Sequence, residues 1–245
     1  MLTRRGALAA LAGAVFGSDE PFFLPPLQPA ADGSRPWLWY APVFTGKYPN
    51  AATGWLFDRL RGAGFAICGI DVGESYGSPA GRAVYTKLYD TLTRERSLSS
   101  RPCLLGQSRG ALMLYNWAVE HPRSVSRIGG IYPVCDLRSY PGLARAAGAY
   151  GMTEAQLQEH LREHNPIDRL APLAAERVPL LHLHGDADKA VPLEANSGEL
   201  IRRYRALGGP AELVVVNGKG HEEVPEFFQS ARLLEFLSRT GGNHR

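Results

Sequence analysis

Short apolar runs alternate along the chain with longer segments whose apolar positions recur at helical spacing. The runs predict six strands, over residues 37–43, 65–70, 102–105, 126–132, 178–184 and 213–216. The intervening segments predict helices over residues 50–64, 80–96, 193–207 and 226–238, with another that follows residue 110 and stops before residue 121. Strands that alternate with helices predict a mostly parallel sheet with helices on both faces, which is an α/β fold.

Two segments depart from this alternation. Residues 19–36 are rich in proline and predict either a wrap over the surface or one edge strand. Residues 136–177 interrupt the alternation, and Thr153 with Glu154 predicts the capped start of a helix over 152–161. Ligands of parallel sheets bind beyond the carboxyl ends of the strands, so an insertion there predicts a short helical lid. The alternative is a packing elaboration that never touches substrate.

The strand at 102–105 leads into Gly106-Gln107-Ser108-Arg109-Gly110, and a helical pattern follows at once. A strand that turns directly into a helix holds its central residue in a strained backbone conformation, with the side chain clear of the sheet edge. Glycine is expected at 106 and 110 because a Cβ there would collide with the neighbouring strand or helix. The pattern therefore predicts a nucleophile elbow with Ser108 as the nucleophile.

Length and charge narrow the function classes. The chain has 245 residues, 44% of them hydrophobic, and a net charge of +3 without a basic patch, which argues against nucleic acid as a partner. Residues 1–17 carry twin arginines before a weakly apolar stretch, which predicts a twin-arginine export signal and a periplasmic or secreted protein. The alternative is a frayed N-terminal helix. The stretch is too short for a stable membrane span.

A serine hydroxyl needs a base, and the base needs an orienting acid. Asp188 lies in a segment that follows the strand at 178–184, and His221 lies in a glycine-rich loop after the last strand. The order Ser108, Asp188, His221 is one of the orders found in serine hydrolases. Alternatives are that Asp188 only caps the following helix, or that Asp186 is the acid. Asp186 is expected to brace the turn through its own backbone.

These motifs resemble the α/β-hydrolase superfamily over residues 37–238, and most closely its dienelactone-hydrolase-like and prolyl-oligopeptidase-like members. The resemblance rests on His-Gly-x-x-Asp-x-x-Val-Pro at 184–192 and Gly-x-Gly-His at 218–221. It implies an α/β-hydrolase domain over 18–245, with the lid insertion at about 136–177. It also implies that Ser108 is the nucleophile, His221 the general base and acid, and Asp188 the orienting carboxylate, without a cofactor or a metal.

An oxyanion hole needs backbone donors beside the nucleophile. The N–H of Arg109 is one candidate, and Val43 is the other, because Pro42 has no N–H and the family's usual His-Gly is missing after the first predicted strand. The Arg109 side chain resembles an arginine that helps to hold the oxyanion in glucuronoyl esterases. A solvated arginine on the first helical turn is the alternative.

Residues after the neighbouring strands complete the predicted site. Glu74, Tyr76 and Tyr132 are expected to line the substrate pocket, or else to buttress the elbow. The three cysteines fall on separate predicted strands. In the sheet order that the resemblance implies, another strand separates those of Cys68 and Cys103, so we expect free buried thiols.

The leading hypothesis is an exported serine hydrolase that cleaves carboxylic esters through an acyl-enzyme, with a small-molecule or carbohydrate ester as substrate. A small serine peptidase of prolyl-oligopeptidase type is the first alternative, and it is less favoured because the single predicted domain shows no propeller or other gating module. A non-catalytic, hydrolase-like binding module is the second alternative.

Overall fold

A computed structural model describes residues 21–42 and 48–239 of the chain. Its centre is a seven-stranded sheet. The strands are β1 (Phe22–Leu24), β2 (Trp37–Ala41), β3 (Ala66–Gly69), β4 (Cys103–Gln107), β5 (Arg127–Ile131), β6 (Leu180–Gly185) and β7 (Ala211–Val216). The helices are α1 (Ala51–Gly62), α2 (Pro79–Asp90), α3 (Arg109–Ala118), α4 (Leu143–Ala146), α5 (Glu154–Glu159), α6 (Leu161–His164), α7 (Ala171–Ala175), α8 (Glu199–Ala206), α9 (Pro225–Phe228) and α10 (Ala231–Ser238).

The strand order in the sheet is β1-β3-β2-β4-β5-β6-β7. Strands β2 to β7 are parallel to their neighbours, and β1 pairs antiparallel with β3 at the edge. The six predicted strands are thus confirmed as one mostly parallel sheet. The proline-rich segment at 19–36 contains β1, so of its two predicted alternatives the edge strand is confirmed.

Helices cover both faces of this sheet, as its buried strands require. The alternation of side chains along β2 shows the division, because Trp37 and Trp39 belong to one core and Leu38 and Tyr40 to the other. The Trp39 ring packs against Trp117 of α3 at 4.7 Å between ring centroids. Two apolar layers therefore hold β4, and the residue that follows it, rigidly at the centre of the molecule.

The predicted C-terminal helix is wrong in one respect, because it consists of two helices. Helix α9 ends at Phe228, and Ser230 begins α10 by accepting a hydrogen bond from the N–H of Leu233 at 3.3 Å. A serine that caps a new helix competes with continuation of the previous one.

The insertion contains α4 to α7 and packs against the elbow helix. Thr153 caps α5 as expected, in a capping box that Gln156 completes. Apolar side chains of the insertion form a third core with Tyr76 and Leu112, and the Tyr150 hydroxyl donates to the carbonyl of Tyr76 at 2.7 Å. The insertion therefore holds the loop after β3 in place, and its Tyr140 hydroxyl contacts Arg109 at the start of α3.

The three cysteines are free and buried, and β2 separates the strands of Cys68 and Cys103. In the part of the chain that the structure describes, the helices are too short or too polar to cross a bilayer. The predicted export signal at 1–17 lies outside the described residues.

Candidate active site

The turn between β4 and α3 has the geometry expected of a nucleophile elbow. Strand β4 ends at Gln107 and α3 begins at Arg109, so Ser108 alone makes the connection, with φ 51° and ψ −127°. This backbone conformation is rare for a residue with a side chain and costs of the order of 1–3 kcal/mol. Hydrogen bonds hold it on both sides, from the Ser108 N–H to the carbonyl of Ile131 at 3.0 Å and from the Val134 N–H to the carbonyl of Ser108 at 2.9 Å.

The two glycines of the elbow are required by close backbone contacts. A Cβ on Gly106 would overlap Ala111 in the first turn of α3, and a Cβ on Gly110 would overlap the carbonyl group of Ala41 at the end of β2. The expected collisions with the neighbouring helix and strand are confirmed, and they keep α3 tight against the sheet.

Ser108, His221 and Asp188 form a continuous chain of hydrogen bonds. The Ser108 Oγ lies 2.8 Å from His221 Nε2, and His221 Nδ1 lies 2.7 Å from Asp188 Oδ2. The second carboxylate oxygen, Asp188 Oδ1, accepts from the N–H groups of Ala190 at 3.0 Å and Val191 at 2.8 Å. The Asp188 side chain is fully buried, so these donors stabilise its charge in place of water.

Hydrogen bonds join the loop that carries Asp188 to the loop that carries His221. The N–H of Ala187 donates to the carbonyl of Lys219 at 3.0 Å, and the N–H of Gly218 donates to Asp186 Oδ1 at 2.6 Å. A Cβ on Gly185 would overlap the backbone of Lys219. Asp186 thus braces the neighbouring loop and not its own turn, which corrects the sequence prediction for that residue.

One predicted oxyanion donor lies in the described structure. Arg109 is the first residue of α3, where the helix itself provides no acceptor for its N–H. Pro42 follows β2 directly, and Val43 lies outside the described residues. The approach of Gly110 to Ala41 keeps the end of β2 beside the elbow.

The Arg109 side chain is paired and mostly buried. Its Nη1 lies 2.8 Å from Glu74 Oε1 and donates to the Tyr140 hydroxyl at 3.3 Å. The Arg109 side chain is 15% exposed and that of Glu74 is 40% exposed. The guanidinium is therefore held by the loop after β3 and by the insertion, which differs from a freely solvated arginine.

The two predicted tyrosines are buried around the elbow. Tyr76 is 4% exposed within the core that the insertion forms, and Tyr132 is 2% exposed. The Tyr132 ring packs against the His221 ring at 4.4 Å between centroids, and its hydroxyl accepts from Gln107 Nε2 at 2.8 Å. Their burial favours the buttressing interpretation for both, whereas Glu74 retains access to solvent.

A polar cluster beside the triad was missed in the sequence. The Gln107 amide contacts the Tyr40 hydroxyl and donates to Glu223 Oε1 at 2.9 Å. The Glu223 carboxylate also accepts from the Tyr48 hydroxyl at 2.7 Å and from Asn50 Nδ2 at 2.9 Å. Gln107 directly precedes Ser108 within the elbow motif, and Glu223 lies two residues after His221. Their positions beside the two motifs are the signal in the sequence that could have indicated this cluster.

Two buried histidines of β6 make the folded state sensitive to acid. Burial, with a smaller contribution from neighbouring His184, lowers the pKa of His182 to about 3. His182 therefore binds a proton near pH 6.5 in the unfolded chain but only near pH 3 in the folded chain. The free energy of unfolding consequently falls as the pH falls through the window from about 6.5 to about 3. We expect this one group to remove roughly 5 kcal/mol of unfolding free energy across the window.

The measurement is the free energy of unfolding of the wild type and His182→Gln, by denaturant titration at steps from pH 7 to pH 3.5. The stability difference between them should shrink as the pH falls. A difference that stays constant over this range would contradict the role assigned to His182.

Most of the chain matches a known protein family. Residues 87–243 match the prolyl oligopeptidase family, and this range includes Ser108, Asp188 and His221. No curated protein shows significant sequence similarity to the chain.

Several solved structures have a similar fold. Dipeptidyl peptidase 4 of Porphyromonas gingivalis is 15% identical over 89% of this chain and 33% of that one, with a TM-score of 0.69. The acylaminoacyl peptidase of Pyrococcus horikoshii is also 15% identical, over 89% of this chain and 39% of that one, with a TM-score of 0.69. Est1E from Butyrivibrio proteoclasticus is 16% identical over 89% of this chain and 90% of that one, with a TM-score of 0.66. The chain spans about a third of the length of the first of these structures.

Proposed function

The chain belongs to the prolyl oligopeptidase family and has its α/β-hydrolase fold, and from this premise we propose that it cleaves carboxylic esters through an acyl-enzyme. The observation that carries the proposal is the hydrogen-bonded chain from Ser108 through His221 to Asp188, with the serine held in a strained elbow. Each partner has the geometry that its role requires: nucleophile, general base and orienting acid.

Acylation begins when Ser108 Oγ attacks the ester carbonyl carbon and His221 Nε2 takes the hydroxyl proton. The imidazolium that forms is stabilised by the Asp188 carboxylate at Nδ1. As the tetrahedral intermediate collapses, His221 returns the proton to the leaving alcohol, and the acyl group remains on the serine. Water then enters, loses its proton to His221 and attacks the acyl carbon. As the bond from that carbon to Ser108 Oγ breaks, His221 returns the proton to Oγ and the acid product leaves.

The Arg109 N–H is our first donor to the oxyanion, at the positive end of α3. We assign the second donor to the Val43 N–H, because Pro42 cannot donate and Gly110 holds the end of β2 against the elbow.

Polar and aromatic groups around the elbow suit a carbohydrate ester. The Arg109–Glu74 pair offers donors and acceptors with no net charge, and Tyr140 adds a hydroxyl and a ring face on the same side. Neutral hydroxylated substrates match such groups better than apolar acyl chains do. With the twin-arginine start at 1–17, this supports an exported esterase that acts on ester-decorated carbohydrate.

A serine peptidase is the second candidate, and the family match favours it, since the same three residues also cleave amides. Two of the similar structures, from Porphyromonas gingivalis and Pyrococcus horikoshii, are named as peptidases. By contrast, the chain covers 90% of the length of Est1E. A binding module that has lost catalysis is disfavoured by the assembled triad.

The test is a fluorophosphonate label, followed by paired substrates that share one acyl group as an ester and as an amide. We expect covalent labelling at Ser108 and hydrolysis of acetyl, feruloyl or methyl-uronate esters with little cleavage of the matched amides. Preference for aminoacyl amides would establish the peptidase instead. A folded protein that is neither labelled nor active would leave only the binding module.

A further inference from the structure

A second chain of hydrogen bonds runs behind the triad acid, through side chains that the reaction does not use. The Tyr115 hydroxyl lies 2.7 Å from His182 Nε2, and His182 Nδ1 lies 3.0 Å from Ser197 Oγ. Ser197 Oγ lies 2.8 Å from His184 Nδ1. His184 Nε2 then lies 2.8 Å from the carbonyl of Val191 and 3.4 Å from Asp188 Oδ2.

The protons in this chain can be assigned by starting from its Asp188 end. His184 Nε2 faces two acceptors, the Val191 carbonyl and the Asp188 carboxylate, so it must carry the proton. Burial lowers the pKa values of His182 and His184, so both rings are neutral and each has one N–H. His184 Nδ1 is therefore an acceptor, and it must receive the proton of the Ser197 hydroxyl.

The remaining protons follow from that step. Because Ser197 donates its only proton to His184, its oxygen must accept from His182 Nδ1. His182 Nε2 is then the acceptor for the hydroxyl of Tyr115. Every donor in the chain points the same way, toward Asp188. The four side chains are fully or almost fully buried, so water cannot replace a missing partner.

We propose that His184 is a positioning residue for the triad acid and that the Ser197 hydroxyl, by donating to its Nδ1, stabilises the tautomer that lets it act. This inference rests on the proposed function, since it assigns Asp188 the role of orienting His221. His184 secures the acid in two ways. Its N–H approaches Asp188 Oδ2 directly, and it binds the carbonyl of Val191, the residue whose own N–H donates to Asp188 Oδ1.

The tautomer decides whether His184 attracts or repels its neighbours. With the proton on Nδ1, its Nε2 lone pair would face the Val191 carbonyl and the Asp188 carboxylate. That repulsion would move the turn that holds the acid, and a displacement of about 1 Å in such a group can cost 10²-fold in rate. Ser197 therefore acts on the reaction without contact with substrate.

The primary test is Ser197→Ala, which removes one oxygen and keeps the side chain small. We expect kcat on an ester to fall by about tenfold to a hundredfold while KM stays near the wild-type value. The proton between His221 Nδ1 and Asp188 Oδ2 gives a second readout, because its low-field NMR resonance should shift or broaden in this variant.

Two further variants separate positioning from general packing. His184→Gln keeps an N–H donor of similar reach and should recover most of the kcat that His184→Leu loses. His164→Leu is the matched control, since His164 is also a buried histidine but lies in α6 against Tyr150, outside the chain of hydrogen bonds. It should leave both kcat and the low-field resonance unchanged.

The proposal is overturned if folded Ser197→Ala has wild-type kcat and an unchanged resonance, or if His184→Gln and His184→Leu are equally impaired. These results differ from a failure of the proposed function, in which the wild type itself has no turnover. The resonance of the His221–Asp188 proton is measurable in either case, because it needs no substrate.

Discussion

Replacing Ser108 by alanine is expected to lower turnover by about 10⁴-fold or more and to abolish fluorophosphonate labelling. The acyl-enzyme cannot form without Oγ, because His221 then has no hydroxyl to deprotonate at 2.8 Å. His221→Ala should be similarly inactive and normally folded, and the double variant should lose little more, since the residues act as a unit. The measurement is initial rate on the best ester, with circular dichroism as the check on folding.

The strained backbone at Ser108 supplies an independent control. Ser108→Gly removes the same hydroxyl, but glycine adopts φ 51° without a steric penalty. Its free energy of unfolding should therefore exceed that of Ser108→Ala by about 1 kcal/mol. Substantial turnover in either variant would refute Ser108 as the nucleophile. Equal stability of the two variants would contradict the backbone strain at Ser108 but not its role as the nucleophile.

Replacing Gly110 by alanine is expected to destabilise the fold by about 3 kcal/mol, the largest loss among single-methyl additions that we foresee. The added Cβ would overlap the carbonyl group of Ala41, and both groups belong to the backbone, so no side-chain rotation relieves the clash. Helix α3 would have to move away from β2, and the elbow with it. Thermal unfolding of the purified variant measures the effect, and turnover should fall as well.

The matched control is Gly54→Ala, in the interior of α1. Among the described residues, no atom outside the local helix backbone lies within 4 Å of a Cβ built there. The same change should therefore raise the free energy of unfolding by about 0.5–1 kcal/mol through helix propensity alone. If Gly110→Ala were as stable as the wild type, the tight packing of α3 on β2 would be wrong.

Much of the fold could be predicted because its parallel strands are buried on both faces. Apolar runs such as those of β2 and β4 stand out against the amphipathic helices between the strands. The elbow could be found for a different reason, because Gly106 and Gly110 stand where a Cβ would overlap a neighbour. In the histidine loop Gly218 has a positive φ of 71°, which also favours glycine, and such requirements appear directly in the sequence.

The parts that could not be predicted depend on contacts between distant segments. The pairing of Arg109 with Glu74 requires the loop after β3 to reach α3, and no local pattern records that approach. The break before Ser230 was missed because the apolar spacing continues across it. The hydrogen bonds of Ser197 to His182 and His184 could not be predicted, because the two histidines lie on β6 and their partner serine lies on another element.

The hydrogen bonds between the loops of Asp188 and His221 affect how the protein responds to a covalent inhibitor. A covalent inhibitor that binds Ser108 and turns its side chain aside breaks one hydrogen bond, that to Nε2, while the bonds of Ala187 to Lys219 and of Asp186 to Gly218 remain. The imidazole and its carboxylate then stay assembled and ready to activate water against the adduct. We therefore expect the inhibited protein to regain activity slowly when the free inhibitor is removed.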